Sequence, residues 1–358
     1  MLFCNHWEYT RNVTFLRSSI FPLLTGLLEF WDCYLTNVSS SPSSAPILRD
    51  WPDQAAEGQT VPNPQLALGF VSKLAHQVLS MAPVLGIDPP SAARRIARHL
   101  TPYNSNSSAS GTGDSVWTNF AGATTSQSNM WALYPLWPAE QVSLADNDQM
   151  LGIAGRSART YLDLPRGRPV QTFTAAVRAG VHGTVMNPTG SGLGGFGASE
   201  IVEGMDSYIT RLWGPNLLVY TSGGGIENIG MSRAVNEMLV ATDGHVLRLF
   251  PGWPLQHPAS FVTLRTKDGF LVSASYDNET RVVRTPVSIQ STVGGSCCVL
   301  DPWSRTGYRS KSHSRVQVRD NTGNSVDLVW SNKIDARGYF VLSFNTTAGR
   351  HYNLSLSE

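Results

Sequence analysis

No C-x-x-C pair, H-E-x-x-H run, G-x-S-x-G elbow or Walker loop occurs in this chain. The first two absences, with eight histidines scattered rather than clustered, argue against a zinc site. The other two remove α/β-hydrolase and P-loop chemistry. An excess of one charge is missing as well. The formal net charge is +1 with 15% charged residues, so there is no electrostatic case for nucleic acid or an anionic membrane as a partner. No apolar run reaches bilayer length; the best, SSIFPLLTGLLEFW, is interrupted by Pro22 and polar groups. The first residues, MLFCNHWEYTRN, lack the basic start and apolar stretch of a signal peptide. Cysteine is sparse. Cys4 and Cys33 could bridge, though their spacing does not demand it. On a strand, neighbours Cys297 and Cys298 point to opposite faces, so at least one reads as a small buried residue. No internal repeat with a solenoid period is present.

What is present is ordinarily globular. A chain of 358 residues, 41% hydrophobic, holds two domains or one large one and can bury a sizeable core. N-x-S/T triplets at Asn12, Asn37, Asn106, Asn278, Asn345 and Asn353 favour a secreted or vacuolar (lysosomal) protein. With no leader in these residues, that points to a longer protein of which this chain is the later part.

The first two-thirds read as helices. Leu16, Ile20, Leu23, Leu24, Leu27, Phe30 and Trp31 form a stripe of 3.6 periodicity, as do Ala67, Phe70, Val71, Leu74, Val78 and Leu79. Further helices are expected near 90–100, 146–162, 169–180, 198–213 and 230–242. Segment 38–62, rich in Ser, Pro and Ala, reads as a long loop, and 104–116 as a low-complexity loop. After about Asp243 the period changes to two. Phe270, Val272, Ala274 and Tyr276 alternate, as do Val283, Thr285, Val287 and Ile289, and RDNTGNS separates SRVQV from VDLVW as a hairpin would. YFVLSF and HYNLSL continue the pattern. A β-sandwich-like unit is expected after the helices.

Three stretches carry possible chemistry. GSGLGG, Gly190 to Gly195, matches a dinucleotide-binding fingerprint only formally: no strand precedes it and no acid follows at the right distance. SNMWALYPLWPAE gathers Trp131, Tyr134 and Trp137 with Asn129 and Glu140, and RLFPGWP adds Phe250 and Trp253. Aromatic faces meet the C–H side of sugar rings and amides meet hydroxyls, so Asn129, Trp131, Tyr134 and Trp253 are candidate sugar contacts; core or interdomain packing is the competing reading. His182, between Gly180 and Gly183, is the histidine most suited to a site, against the plainer reading of a loop residue. TSGGGIENIGMSRAVNEML sets Glu227 and Asn228 between three glycines and a helix expected from Gly230. Helix capping explains an acid there; catalysis is the alternative.

GGGIENIGMSRAVNEMLVATDGHVLRLFPGWP, followed by ASFVTLRTKDGFLVSASY, resembles the late-barrel and barrel-to-β-domain segment of glycoside hydrolase family 95, the α-L-fucosidase-type enzymes. Residues 223–276 carry this resemblance. Weaker agreement runs back through YPLWPAEQVSLADNDQMLGIAGRSA, NPQLALGF and YTRNVTFLRSSIFPLLTGLLEFW. The family fold is an (α/α)6 barrel with a β domain before and after it. The resemblance therefore implies an α + β multidomain chain: a partial barrel over 1–244 and a C-terminal antiparallel β domain over 245–358. About seven helices are readable here rather than twelve, which places the early helices and the N-terminal domain upstream of this chain and leaves apolar faces uncovered.

The resemblance also implies a chemistry. Family members invert the anomeric centre of terminal L-fucosyl or related sugars, one carboxylic acid protonating the leaving oxygen while a base activates water on the opposite face. The base side is similar to an amide–carboxylate relay whose acid matches Glu227, where family fucosidases usually carry Asp; Asn228 lies beside it. The relay asparagines have no counterpart here. The general-acid motif is replaced by Ser43 and Ser44, leaving Asp53 or Glu57 as the carboxylates of that loop. The implied partner is an oligosaccharide or glycoconjugate, with no metal and no organic cofactor. Two other readings stand beside hydrolysis: an inactive carbohydrate-binding fragment or pseudoenzyme, and a phosphorolytic barrel enzyme of related fold.

Overall fold

The computed structural model describes residues 2–38, 47–49, 53–56, 59–107, 114–124, 130–144, 146–162, 169–186, 196–212, 214–215, 230–303, 316–331 and 340–357. Its first element is a helix that the periodicity did not announce, α1 (Leu2–Thr10). Its stop is local: Arg11 turns left-handed, φ 51°, and its N–H returns to the Trp7 carbonyl at 2.9 Å, a helix-ending geometry that usually selects glycine. Asn12 restarts the helix by accepting the Phe15 N–H at 3.0 Å. From there α2 (Val13–Phe15), a π-helical turn (Leu16–Ile20) and α3 (Phe21–Tyr34) run on without a break.

Pro22 does not interrupt this helix. It occupies a first-turn position of α3, directly after the π turn, where a missing N–H is tolerated. The combined helix Val13–Tyr34 is, by length and composition, apolar enough to cross a bilayer, although the same is true of many core helices, and 28% of its apolar window is buried. The sequence expectation that no segment reaches that length is corrected on this point. Leu16, Ile20, Phe21, Leu24 and Leu28 are buried, whereas Leu23, Leu27 and Phe30 are exposed.

α4 (Gln65–Val84) and α5 (Ser91–His99) pack with α1 and α3 around Trp7, Leu28, Val71, Val78 and Ile96. A second helical core gathers α6 (Asp148–Leu162), α7 (Pro169–Ala179), α8 (Ala198–Leu212) and α9 (Gly230–Leu239), with Leu133, Leu136, Phe173, Val177, Ile201, Tyr208, Ala234 and Met238 at its centre. The region expected to be one loop over 38–62 holds two short pairings, Thr36–Asn37 with Leu48–Arg49 and Asp53–Ala56 with Gln59–Val61. In the other expected loop, Ser105–Asn106 pairs with Val116–Trp117.

Helix changes to strand at Val240 with no linker, three residues before the expected helix end. The β-branched Val240 and Thr242 favour a pleated surface. Strands β1 (Val240–Asp243), β2 (Val246–Leu249), β3 (Ala259–Thr266), β4 (Phe270–Asp277), β5 (Val282–Val283), β6 (Val287–Ser291), β7 (Gly295–Leu300), β8 (Val316–Asp320), β9 (Ser325–Val326), β10 (Val329–Ser331), β11 (Val341–Thr346) and β12 (His351–Leu356) form two sheets. One is seven-stranded, in the order β5-β4-β6-β12-β8-β9 with β3 also on β4; the other is five-stranded, β10-β11-β7-β2-β1. All pairings are antiparallel except β2 with β7. The architecture is thus α + β, and both sheets contribute to one buried cluster that includes Phe261, Val272, Ile289, Val299, Val318 and Phe344.

Strand alternation behaves as the sequence suggested: Phe270, Val272, Ala274 and Tyr276 are buried on β4. The hairpin expected from SRVQV and VDLVW is shorter. Asp320 Oδ1 accepts from the Thr322 and Asn324 N–H groups at 2.9 and 3.0 Å and shapes the turn. Only Ser325–Val326 pairs back on β8; Val329–Ser331 joins the other sheet. All four cysteines are free thiols, and Cys297 is buried while Cys298 is half-buried.

The two bodies meet at the Phe250–Trp253 turn. A Cβ on Gly252 would lie 3.0 Å from Val177 and 3.2 Å from the Met238 backbone, closer than packed atoms allow without movement. Gly252→Val is expected to cost about 1–3 kcal/mol by overpacking this joint. Urea denaturation measures it, and an unchanged midpoint would contradict the close approach.

Candidate active site

Of the residues singled out from sequence, Glu227, Asn228, Glu57 and Asn129 lie outside the described residues. Asp53 is described: it is half-buried, on the short strand Asp53–Ala56, opposite Val61. Trp131 and Tyr134 are brought together by a 3-10 turn, Met130–Leu133, in which the Tyr134 N–H reaches the Trp131 carbonyl at 3.1 Å. Both rings are half-buried, and Tyr134 stands edge-on to Phe70 with centroids 5.6 Å apart.

His182 and Trp253 form a second group. Val185 N–H bonds to the Trp253 carbonyl and Leu255 N–H to the Gly183 carbonyl, both at 3.2 Å, so the segment after α7 lies along the Trp253 turn. Trp253 packs against both the helical and the β core, and its indole N–H donates to the His257 carbonyl at 2.9 Å. That packing is the joint between the bodies. The His182 ring lies against Gly197, where an added Cβ would approach it to 3.3 Å.

The most strongly perturbed carboxylate is one that the sequence reading left among the aromatic residues. Glu140 follows a chain of tight turns, adopts φ 55°, and has a side chain only 6% exposed. Its Oε1 accepts from Arg233 Nη2 at 3.3 Å and lies 3.9 Å from Arg178. Its Oε2 contacts Lys267 Nζ closely and lies 3.8 Å from Lys73. Arg233 also reaches Glu237, one turn along α9, at 2.7 Å, and Arg178 meets both Glu237 oxygens at 3.2 Å. Lys267 continues to Glu8 at 3.0 Å, and Gln77 donates to Glu8 at 2.7 Å.

Burial alone would raise the Glu140 pKa; Arg178, then Lys267, Lys73 and Arg233, overwhelm it and hold the group far below the carboxylate range. Arg178 is pushed the opposite way, upward, by Glu140 and Glu237 against its own burial. This chemistry is wrong for a general acid, which needs a raised pKa. Glu140 is therefore a permanent anion that neutralises cations from α4, α7, α9 and the Lys267 turn. Asp146 moves in the direction a general acid requires, raised by burial and by Asp243, but its Oδ2 is engaged by the Ser143 N–H at 2.8 Å. Among the described residues no three His, Cys, Asp or Glu side chains converge on a metal position.

The network was missed because its members are scattered in sequence. A signal existed: Lys73 and Arg178 are single charges inside apolar helical stretches and end up almost fully buried, which happens to such residues only when they are paired.

Residues 1–164 match a family model, that of the Glycosyl hydrolase family 95 catalytic domain. The matched part runs from α1 through α6 and includes Trp131, Tyr134 and Glu140. No curated protein matches the chain.

Replacing Glu140 with Gln leaves four buried or half-buried cations short of an anion and is expected to cost about 3–5 kcal/mol. The sign with pH follows from the lowered pKa. The stabilisation is whole above the ordinary value of 4.5 and is lost only as pH falls toward the folded-state value. Urea titrations of both proteins should therefore give a gap that is constant near neutrality and narrows only in strong acid. A gap already closing between about pH 7 and pH 5 would contradict the network.

Proposed function

We propose that this chain, a glycosidase related to glycoside hydrolase family 95, hydrolyses terminal α-linked L-fucosyl or closely related sugars with inversion. The observation that carries the reading is the family match over residues 1–164; the resemblance of residues 223–276 to the same family's late barrel extends it. In this reading α1 to α9 belong to an (α/α)6 barrel, and the two sheets form a sandwich-like domain behind it.

Inversion asks for two carboxyl groups on opposite faces of the sugar, separated by about 6.5–9.5 Å so that a water fits at the base side. Glu227, just ahead of α9, serves the base side by orienting that water, with Asn228 as its amide neighbour. The acid is Asp53 or Glu57, from the segment ahead of α4. Trp131 and Tyr134, with Asn129, line the sugar cleft. His182 and Trp253 border it from the junction. Glu140 takes no proton in this scheme, because its charge is committed to Arg178, Lys267, Lys73 and Arg233. The substrate is an oligosaccharide or glycoconjugate, and the setting is secretory or vacuolar; a mobility shift on enzymatic deglycosylation tests the setting.

The substrate assignment is tested with an aryl α-L-fucoside, following the released sugar by NMR. The first-formed anomer should be inverted, and Glu227→Gln should lower kcat by about 10²- to 10⁴-fold while KM changes little. An undiminished rate in Glu227→Gln removes that residue from the mechanism. Fucose binding with no turnover in the parent protein would replace the enzyme reading with a carbohydrate-binding one.

A further inference from the structure

Trp131 and Tyr134 share a face because of the 3-10 turn Met130–Leu133: at three residues per turn, positions i and i+3 eclipse. The two residues between them, Ala132 and Leu133, are fully buried. A ring of amides holds the turn on that buried side. The Ala132 N–H donates to Asn119 Oδ1 at 2.8 Å, and Gln65 Nε2 reaches the Ala132 carbonyl at 3.5 Å. The Gln65 N–H closes the ring on the Asn119 carbonyl at 2.7 Å. Gln65 Oε1 accepts the Asn104 N–H at 2.8 Å and lies 3.2 Å from Asn104 Nδ2, which also donates to the Asn63 carbonyl at 2.7 Å. The backbone fixes the orientation of each amide. A backbone N–H can only donate, so Asn119 turns its oxygen to Ala132 and Gln65 its oxygen to Asn104, which leaves the Gln65 nitrogen for Ala132.

Burying these groups is unfavourable unless every hydrogen bond is made. Gln65, Asn119 and Asn104 are 0%, 1% and 8% exposed. Aliphatic side chains would fill the same space without that condition. They would not fix the direction of the peptide that follows Trp131, which a satisfied polar network does. The rest of the segment is held as closely. A Cβ on Gly69, one turn beyond Gln65 on α4, would lie 3.3 Å from Ala139 Cβ and 3.5 Å from the Tyr134 and Pro135 backbone. The Leu136 carbonyl accepts from Arg178 Nε at 3.1 Å. The half-buried rings of Trp131 and Tyr134 therefore stand on a backbone that α4, α7 and the segment after Trp117 hold from behind.

We propose that Asn119 and Gln65 are positioning residues that set the affinity of the Trp131–Tyr134 face for a sugar ring. This role rests on the proposed function, in which both rings line the sugar cleft. The two amides are buried and act through the turn, Asn119 by way of the peptide next to Trp131 and Gln65 by way of the Ala132 carbonyl. Aromatic faces meet the sugar in the ground state and the transition state alike, so misplacing them weakens binding without slowing the chemical step.

Steady-state kinetics on an aryl α-L-fucoside test the role. Asn119→Ala should raise KM by about three- to tenfold, with kcat within about twofold of the parent. Trp131→Ala should raise KM at least as much, and the double variant should match Trp131→Ala alone, because Asn119 acts through that ring. Asn119→Asp keeps an oxygen for the Ala132 N–H, so its KM should stay near the parent's even where stability falls. Ile289→Val, which thins the β core, should leave KM unchanged. An additive double variant, an unchanged KM in Asn119→Ala, a KM in Asn119→Asp as high as in Asn119→Ala, or a raised KM in Ile289→Val overturns the proposal. A second readout needs no substrate: 19F NMR of protein labelled with 5-fluorotryptophan, the Trp131 signal being assigned by its loss in Trp131→Phe. It should move in Asn119→Ala and in Gln65→Glu, which keeps the acceptor for Asn104 and loses the donor to Ala132, and stay in place in Ile289→Val. Turnover in the parent with an unmoved signal in Asn119→Ala overturns the positioning alone. A parent that neither binds nor cleaves the fucoside overturns the cleft itself, and the signal still decides whether the amides place Trp131.

Discussion

One carboxylate, Glu140, sets the geometry of the junction on which the rest of the molecule depends. Its buried oxygens are shared among Lys73 of α4, Arg178 of α7, Arg233 of α9 and Lys267 of the turn between β3 and β4. An ion removed from water at this depth is tolerated only when its partners are close and held in place. The arrangement therefore works in both directions: the cations keep Glu140 ionised, and Glu140 fixes where four elements can sit. Glu237 and Glu8 extend the same logic to the length of α9 and to α1. The result is a helical body and a β body joined by charge at one point and by the Phe250–Trp253 turn at another.

This has a consequence for chemistry. A glycosidase needs one carboxyl group that holds its proton and another that gives it up. Glu140 and Glu237 are buried acids at the junction, and their environment is that of a salt lock. Of the acids singled out from sequence, Asp53 lies on the short strand Asp53–Ala56, and Glu57 and Glu227 fall outside the described residues. Arg233, in the first turns of α9, anchors that helix to Glu140, Glu237 and the Tyr9 hydroxyl.

How far the sequence could be read varied with the kind of signal. The stripe of α4 and the alternation of β4 were legible, because burial of one face imposes a period on each chain segment by itself, whereas the stripe read over α3 set Leu23, Leu27 and Phe30, which are exposed, beside Leu16, Ile20 and Leu24, which are buried. Helix α1 was not legible, because its nine residues are too few to show a period and its stop depends on a left-handed arginine. Pro22 looked like a break and is not one: it follows a π turn in the first turn of α3, and the helix continues through it. The end of α9 was overrun because Val240 to Thr242 continue an apolar pattern that only the neighbouring β2 identifies as a strand. Family resemblance was clearest over 223–276, whereas the family match covers 1–164, where the similar stretches are shorter and more dispersed.

By itself the sequence determined the order of elements, helices then strands, the alternating faces of the sheets, and a match of residues 1–164 to a glycosidase family model, because each is encoded in runs of neighbouring residues. The tertiary structure alone decided which charges would be buried together. Glu8, Lys73, Glu140, Arg178, Arg233, Glu237 and Lys267 are far apart in the chain and individually unremarkable. Their pairing is a property of distances through space, and no local pattern records it.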